Sequence, residues 1–197
     1  LLNFAEEFHD IDNFYKNQRP VWEKLIKVYD KFLLNKFELE RDPDAILAFR
    51  RMEDILHAPA PYELIKDADM LISKVAHYND QLVAEYRKRA LAVVDKLLIE
   101  LNAEIDNACK DSELLDAFKN ARFLPFNVLK SEIALQDSIA HLQQIEQRAC
   151  TQFSQQMQMV AEYAQKISKE SKPDASKPVV KPIVSVKTSS VAQKAYL

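Results

Sequence analysis

No glycine occurs among the 197 residues, where average usage would supply about 14. Phosphate-cradling loops, dinucleotide fingerprints and nucleophile elbows all need glycine for a tight turn or a close backbone approach. Such sites are excluded from this stretch of chain. Type I′ and II′ hairpins also lose their favoured residue, which disfavours hairpin-rich β architectures. Two cysteines, without metal spacing, provide no disulfide framework and fit a reducing cytosol. No run approaches the ~18 consecutive apolar residues of a membrane span. An excess of one charge is missing too: 27 Lys and Arg face 30 Asp and Glu, for a formal net charge of −3. No broad basic field therefore draws the whole chain to nucleic acid. The opening Leu1-Leu2-Asn3-Phe4 has neither an initiator methionine nor a signal pattern, and reads as an internal piece of a longer protein.

What remains is a chain of helices divided by proline. Pro20, Pro43, Pro59, Pro61 and Pro125 punctuate the body, and Pro173, Pro178 and Pro182 fall in the last 28 residues. Phe4, Phe8, Ile11 and Tyr15 recur at helical spacing and predict a first helix over Leu2 to Asn17. Pro20 suits the first turn of a second helix, whose stripe is Val21, Leu25, Val28, Phe32 and Leu39. Asp42-Pro43-Asp44 reads as an N-cap, a first-turn proline and an acid at the positive end of the helix dipole. The third helix is expected to bury Ile46, Phe49, Met52, Ile55 and Leu56 and to stop before Pro59-Ala60-Pro61. These three short helices form a first unit, 1–59.

The second unit, 60–169, carries two long apolar stripes. One runs Leu64, Ala68, Leu71, Val75, Tyr78, Leu82, Tyr86, Val93, Leu97, Leu101, Ile105 and Ala108. The other begins after Pro125 with Val128, Leu135, Ile139, Leu142, Ala149, Phe153, Val160 and Ile167. A short helix near 112–122, capped by Ser112, would connect them. Each stripe must leave water, so the two rods are expected to pack as an antiparallel, coiled-coil-like hairpin. Leu97 is placed in its core and Asp95 on its solvent face. Glu132, Glu146 and Gln156 interrupt the heptads, which predicts an imperfect pair. The tail, 170–197, holds five lysines against Glu170 and Asp174; its Ser-Lys-Pro spacing suits a flexible or polyproline-like linker, and Val179 to Val186 alternates enough to form an extended arm on a sheet edge. The fold class is thus all-α: an elongated helical bundle with a long hairpin and a basic tail.

Chemistry-bearing clusters are sparse. Glu6-x-x-His9 has the i, i+3 spacing of di-iron bundles, but such sites need two copies and two further glutamates. Asp54-x-x-His57 is only an aspartate version at a helix end. His77 and His141 lack ligand-spaced partners, and Cys109 and Cys150 sit too far apart along the rods to bridge. No catalytic, cofactor-binding or metal residue is assigned. Arg50-Arg51 and Arg87-Lys88-Arg89 could contact phosphate or acidic partners, or simply pair with neighbouring acids one helical turn away. Eight glutamines crowd Gln143 to Gln165, and an uncharged polar face is cheaper to desolvate than one rich in Lys and Glu. Gln144, Gln147, Gln155, Arg87, Arg89 and Lys181 are therefore the candidate partner contacts.

Phe14-Tyr15-Lys16-Asn17-Gln18-Arg19-Pro20-Val21-Trp22 and Arg50-Arg51-Met52-Glu53-Asp54-Ile55-Leu56-His57-Ala58-Pro59-Ala60-Pro61-Tyr62 resemble the C-terminal part of the large P-loop ATPases of bacterial BREX phage-exclusion systems (BrxC/PglY-like). The likeness extends to the end at Lys187 to Leu197. It implies antiviral defence in the bacterial cytoplasm, with partners that include the system's DNA methyltransferase complex. It also implies ATP bound elsewhere in the parent protein, since a glycine-free segment cannot hold the nucleotide loop. The expected role here is a non-catalytic assembly region that binds partners or forms a homo-oligomer. The rivals are a free-standing carboxylate-metal enzyme built on Glu6 and His9, and a DNA-contacting module.

The tail carries about +3 and the body about −6, so any DNA affinity should reside in the tail and fall steeply with salt. A chain ending at Lys169 should leave a DNA duplex unshifted in gels at physiological salt. Tight binding by that truncation would contradict the assignment.

Overall fold

In a computed structural model, residues 2–57, 68–110 and 112–170 are described, and every described element is helical. Helix α1 (Leu2–Asn13) passes through a π-helical turn (Phe14–Gln18) into α2 (Arg19–Leu34). The expected break between the first two helices is therefore a widened turn instead. Pro20 offers no N–H to the carbonyl four residues earlier, and the looser winding just ahead of it accommodates that loss. Helix α2 ends at Asn35, one turn earlier than its stripe suggested, and Leu39 lies in a separate short helix α3 (Lys36–Leu39). Helix α4 (Pro43–Leu56) starts as expected, with the Asp42 carboxylate accepting from the N–H groups of Asp44 and Ala45. Leu25, Phe32, Leu39, Phe49, Met52 and Ile55 close a first core with Leu71, Ile72 and Val75 of α5 (Ala68–Ala108). Phe49 is its centre, stacked between Phe32 at 4.3 Å and Tyr29 at 5.2 Å. Tyr62 to Leu64 of the first rod lie outside the described residues.

The second half departs from a simple hairpin. Helix α6 (Ser112–Leu135) continues straight through Pro125, and the chain reverses only at Gln136–Ser138 before α7 (Ile139–Glu170). The proposed connector at 112–122 and the start of the second rod are one helix. Proline inside a helix removes a backbone hydrogen bond, yet burial of Phe126, Leu129 and Ile133 in the turns that follow outweighs it. Ion pairs set the directions. Lys119 to Asp106, Lys130 to Asp95 and Arg87 to Asp137 make α6 antiparallel to α5. Arg148 to Glu132 and the Phe118–Tyr163 stack make α7 antiparallel to α6. Helix α7 thus runs parallel to α5, and the second half is an up-down-up three-helix bundle.

Its core holds Ala90, Val94, Leu101 and Ile105 of α5, Phe126, Leu129 and Ile133 of α6, and Ile139, Leu142, Ala149 and Val160 of α7. Leu97 is half-buried at the edge of that core, and Asp95 is exposed but paired with Lys130. Val128 and Leu135, expected inside, are exposed. They lie on the α6 face away from Phe126, Leu129 and Ile133, and the reversal at Gln136–Ser138 puts Ile139 and Leu142, the next members of the expected stripe, on a different helix.

The two cores share α5, a spine of about 60 Å, and meet at one buried amide. Asn35 Nδ2 donates to Asn79 Oδ1 at 2.8 Å and to the Asp137 carbonyl at 2.9 Å, while its Oδ1 accepts the Ile139 N–H at 2.8 Å. Asn35→Ala should strand two buried polar groups, the Asn79 oxygen and the Ile139 N–H, with the part-buried Asp137 carbonyl, and cost about 2–4 kcal/mol. Urea melts followed by helical circular dichroism measure this, with faster exchange of the Ile139 amide as the local signature. A loss below about 0.5 kcal/mol would refute the role.

Candidate interaction surface

Helix α7 buries Ile139, Leu142, Ile145, Ala149, Gln156 and Val160, so the opposite face is offered to solvent. Gln144, Gln147 and Gln155 are all exposed there, together with Ala140, Thr151 and Gln158. Successive residues turn about 100°, which places these six within one face. Between Ala140 and Met159 the only exposed residue with a formal charge is Arg148. Its guanidinium is held by both oxygens of Glu132, at 2.7 and 3.3 Å. Thr151 and Ser154 hydroxyls donate back to carbonyls one turn earlier, which turns them from solvent toward their own helix. Gln156, read as a heptad interruption, is buried, and its Oε1 has no hydrogen-bond partner. Glu132 and Glu146, the other interruptions, are half-buried and ion-paired.

The basic candidates behave differently. Arg87 is a structural clamp: its Nε donates to the Gln136 carbonyl at 2.9 Å and its Nη2 to Asp137 at 2.6 Å. Both groups belong to the α6–α7 turn, so Arg87 orders that turn instead of presenting a free cation. The expected pairing within α5 is replaced by pairing across helices. Arg89 remains largely exposed, with Glu146 at 3.6 Å. Glu146 lies about 160° around α7 from Gln144, so the arginines and the glutamine face are not one site. Lys181 lies outside the described residues.

Arg89 instead borders a groove of about 650 Å³ between the α3–α4 corner and α5, with Glu38, Arg41, Asp42, Glu85 and Tyr86. Tyr86 Oη donates to Glu38 Oε2 at 3.0 Å, and Arg41 Nη1 sits 3.1 Å from the same oxygen. Burial, then the hydrogen bond and the charge of Glu38, push the Tyr86 phenol above its ordinary value of 10. The groove's charges largely answer one another, and the arrangement suits packing more than proton transfer. Glu6 and His9 are exposed on α1, and His57 uses its Nδ1 against the Glu53 carbonyl at 2.8 Å. Among the described residues, no group of three or more His, Cys, Asp or Glu converges as a metal site. Cys109 is buried, Cys150 is exposed, and both are free thiols.

One surface escaped the sequence reading. Helix α6 exposes Leu114, Ala117, Ala121, Leu124, Val128, Ser131 and Leu135. Their alternating 3–4 spacing is legible in the sequence but runs across Pro125, where a helix boundary is expected. No protein-family model matches the chain, and no solved structure matches it.

The raised Tyr86 value carries a sign. Below pH 10 the phenol is neutral whether folded or unfolded, and the contribution is fully present. Above pH 10 the unfolded chain ionises first, so stability declines as pH climbs toward the folded value. Tyr86→Phe should flatten that decline and cost about 1 kcal/mol at neutral pH. Difference ultraviolet titration of the two proteins should place the missing phenol above 10. A midpoint at or below 10 would contradict the geometry.

Proposed function

We propose that this chain is a non-catalytic helical assembly region of a BREX antiphage ATPase, working in the bacterial cytoplasm. The uncharged outer face of α7 is its contact surface for partner proteins, including the system's DNA methyltransferase complex. The observation that carries the assembly role is that face itself. Charged residues make up 29% of the chain, yet from Ala140 to Met159 the exposed surface carries only the paired Arg148. Protein interfaces are depleted of charge at their centres for the same reason: glutamine and threonine lose less hydration energy than Lys or Glu when water leaves. The BREX placement rests on the resemblance at Phe14–Trp22 and Arg50–Tyr62. Nucleotide chemistry then belongs to the parent ATPase outside this segment. No described helix is long and apolar enough to cross a membrane.

The test introduces charge without disturbing the core. Gln144→Glu, Gln147→Glu and Gln155→Glu, combined in the full-length ATPase, should leave its thermal melt and ATPase rate unchanged, since exposed substitutions stay within about 0.5 kcal/mol each. Co-purification with the methyltransferase should weaken at least about tenfold, because three carboxylates must be stripped of water at the contact. Undiminished co-purification and phage protection would overturn the proposal.

A further inference from the structure

Helix α6 is apolar on two sides. Phe126, Leu129 and Ile133 face the bundle core. About 140° around the helix runs the second stripe, Leu114, Ala117, Ala121, Leu124, Val128, Ser131 and Leu135, all exposed. Its four large side chains show between 51% and 84% of their surface to solvent. Single exposed apolar residues are ordinary on any protein. A continuous heptad row of them is not, and the row has the spacing of a coiled-coil seam.

We propose that this face is a homodimer interface, in which α6 packs antiparallel against α6 of a second copy of the chain. Three observations select that occupant. From Leu114 to Leu135 the only charged residue among the exposed positions of α6 is Asp116. A strongly basic or acidic partner would therefore find nothing to pair with, whereas a second copy brings the same uncharged surface. Side-chain size chooses the orientation. In the antiparallel register Leu114 meets the copy's Ser131, Ala117 meets its Val128, and Ala121 meets its Leu124. Each layer joins one larger and one smaller side chain, and the two-fold axis repeats the set. A parallel pair would stack Leu on Leu and Ala on Ala, alternately crowding and hollowing the seam.

The third observation is area. The layers that pair, Leu114 to Ser131, run about 26 Å, with Leu135 beyond the overlap, and two helices in contact over that length bury roughly 800 Å² in total, the size of a weak, transient interface. The dimer should accordingly dissociate in the micromolar range and not be obligate. Alanines at 117 and 121 and serine at 131 let the backbones come close, which favours such a compact seam.

Sedimentation equilibrium of the full chain at about 100 μM should give twice its 22.8 kDa mass. Leu124→Asp should weaken association at least about tenfold, with an unchanged helical spectrum, because the side chain is solvent-facing in the monomer. Val128→Lys should act alike, and Gln147→Glu on α7 should leave the mass untouched. Register is read by cross-linking in a Cys150→Ser background: Ala121→Cys with Leu124→Cys should form an interchain disulfide, and Ser131→Cys alone should not. A monomer at 100 μM, or a dimer indifferent to Leu124→Asp and Val128→Lys, would overturn the interface. Cross-linking by Ser131→Cys alone would overturn the antiparallel pairing. The methyltransferase co-purification test reads a different face, so failure of one leaves the other standing.

Discussion

The Asn35 carboxamide holds together parts of the chain more than a hundred residues apart. Its two N–H groups and its oxygen reach Asn79, Asp137 and Ile139, on α5, the α6–α7 turn and the start of α7. The bonds to Asn79 and Ile139 are buried and the one to Asp137 part-buried; out of water a satisfied amide is strong and an unsatisfied one is costly. The position also ends α2 and sets off α3. One residue therefore terminates a helix in the first core and caps another in the second. Hydrophobic packing alone would let two cores slide along their shared α5 spine, since burial is non-directional. Three directed hydrogen bonds fix the register.

The absence of glycine explains why side chains carry so much of this work. A helix commonly ends on glycine in a left-handed conformation, which satisfies its last carbonyls through the backbone. Here the α6–α7 reversal is built from polar side chains instead. Gln136 Oε1 accepts the Ser138 N–H, the Ser138 hydroxyl accepts from His141, and Arg87 grips Gln136 and Asp137 from α5. Asp42 does the same for α4. Both of these turns are thereby tied to named residues, with Arg87 some fifty residues from the turn it grips. Arg87, which looks from its neighbours Lys88 and Arg89 like part of a basic patch, is committed to this framework.

Local signals were legible where the physics is local. Asp42-Pro43 marked a helix start because cap and proline act within three residues, and the α5 stripe was visible because its periodicity spans forty. Pro125 misled for a physical reason: its cost is a few kcal/mol, and a helix that buries Phe126, Leu129 and Ile133 on the other side of it can bear that. The expected stripe also joins Val128 and Leu135 of α6 to Ile139 and Leu142 of α7, across a reversal that no local signal marks. Asn35 was unreadable, since its partners lie 44 to 104 residues away and an isolated asparagine looks like any turn residue. Gln144, Gln147 and Gln155 lie exposed on one face of α7, and the charge-poor run that carries them is a compositional signal visible without the fold.

The two uncharged faces differ in what they can exclude. Glutamine, threonine and alanine on α7 lose little when buried and gain through hydrogen bonds, so a partner proposed for that surface would be selected by the geometry of polar groups. Leucine and valine on α6 gain from water exclusion, which has no direction, and must take their selectivity from shape. In a three-helix bundle the outer faces of neighbouring helices point different ways, so occupation of one leaves the other open. Antiparallel pairing through α6 also sends the two Asn35-tied junctions to opposite ends, because each junction adjoins the Leu135 end of its own α6. A dimer so built presents two separated copies of the α7 face. Partners bound to both would gain from effective concentration without any new contact, and a weak seam at α6 could then be stabilised by the very assembly it helps to form.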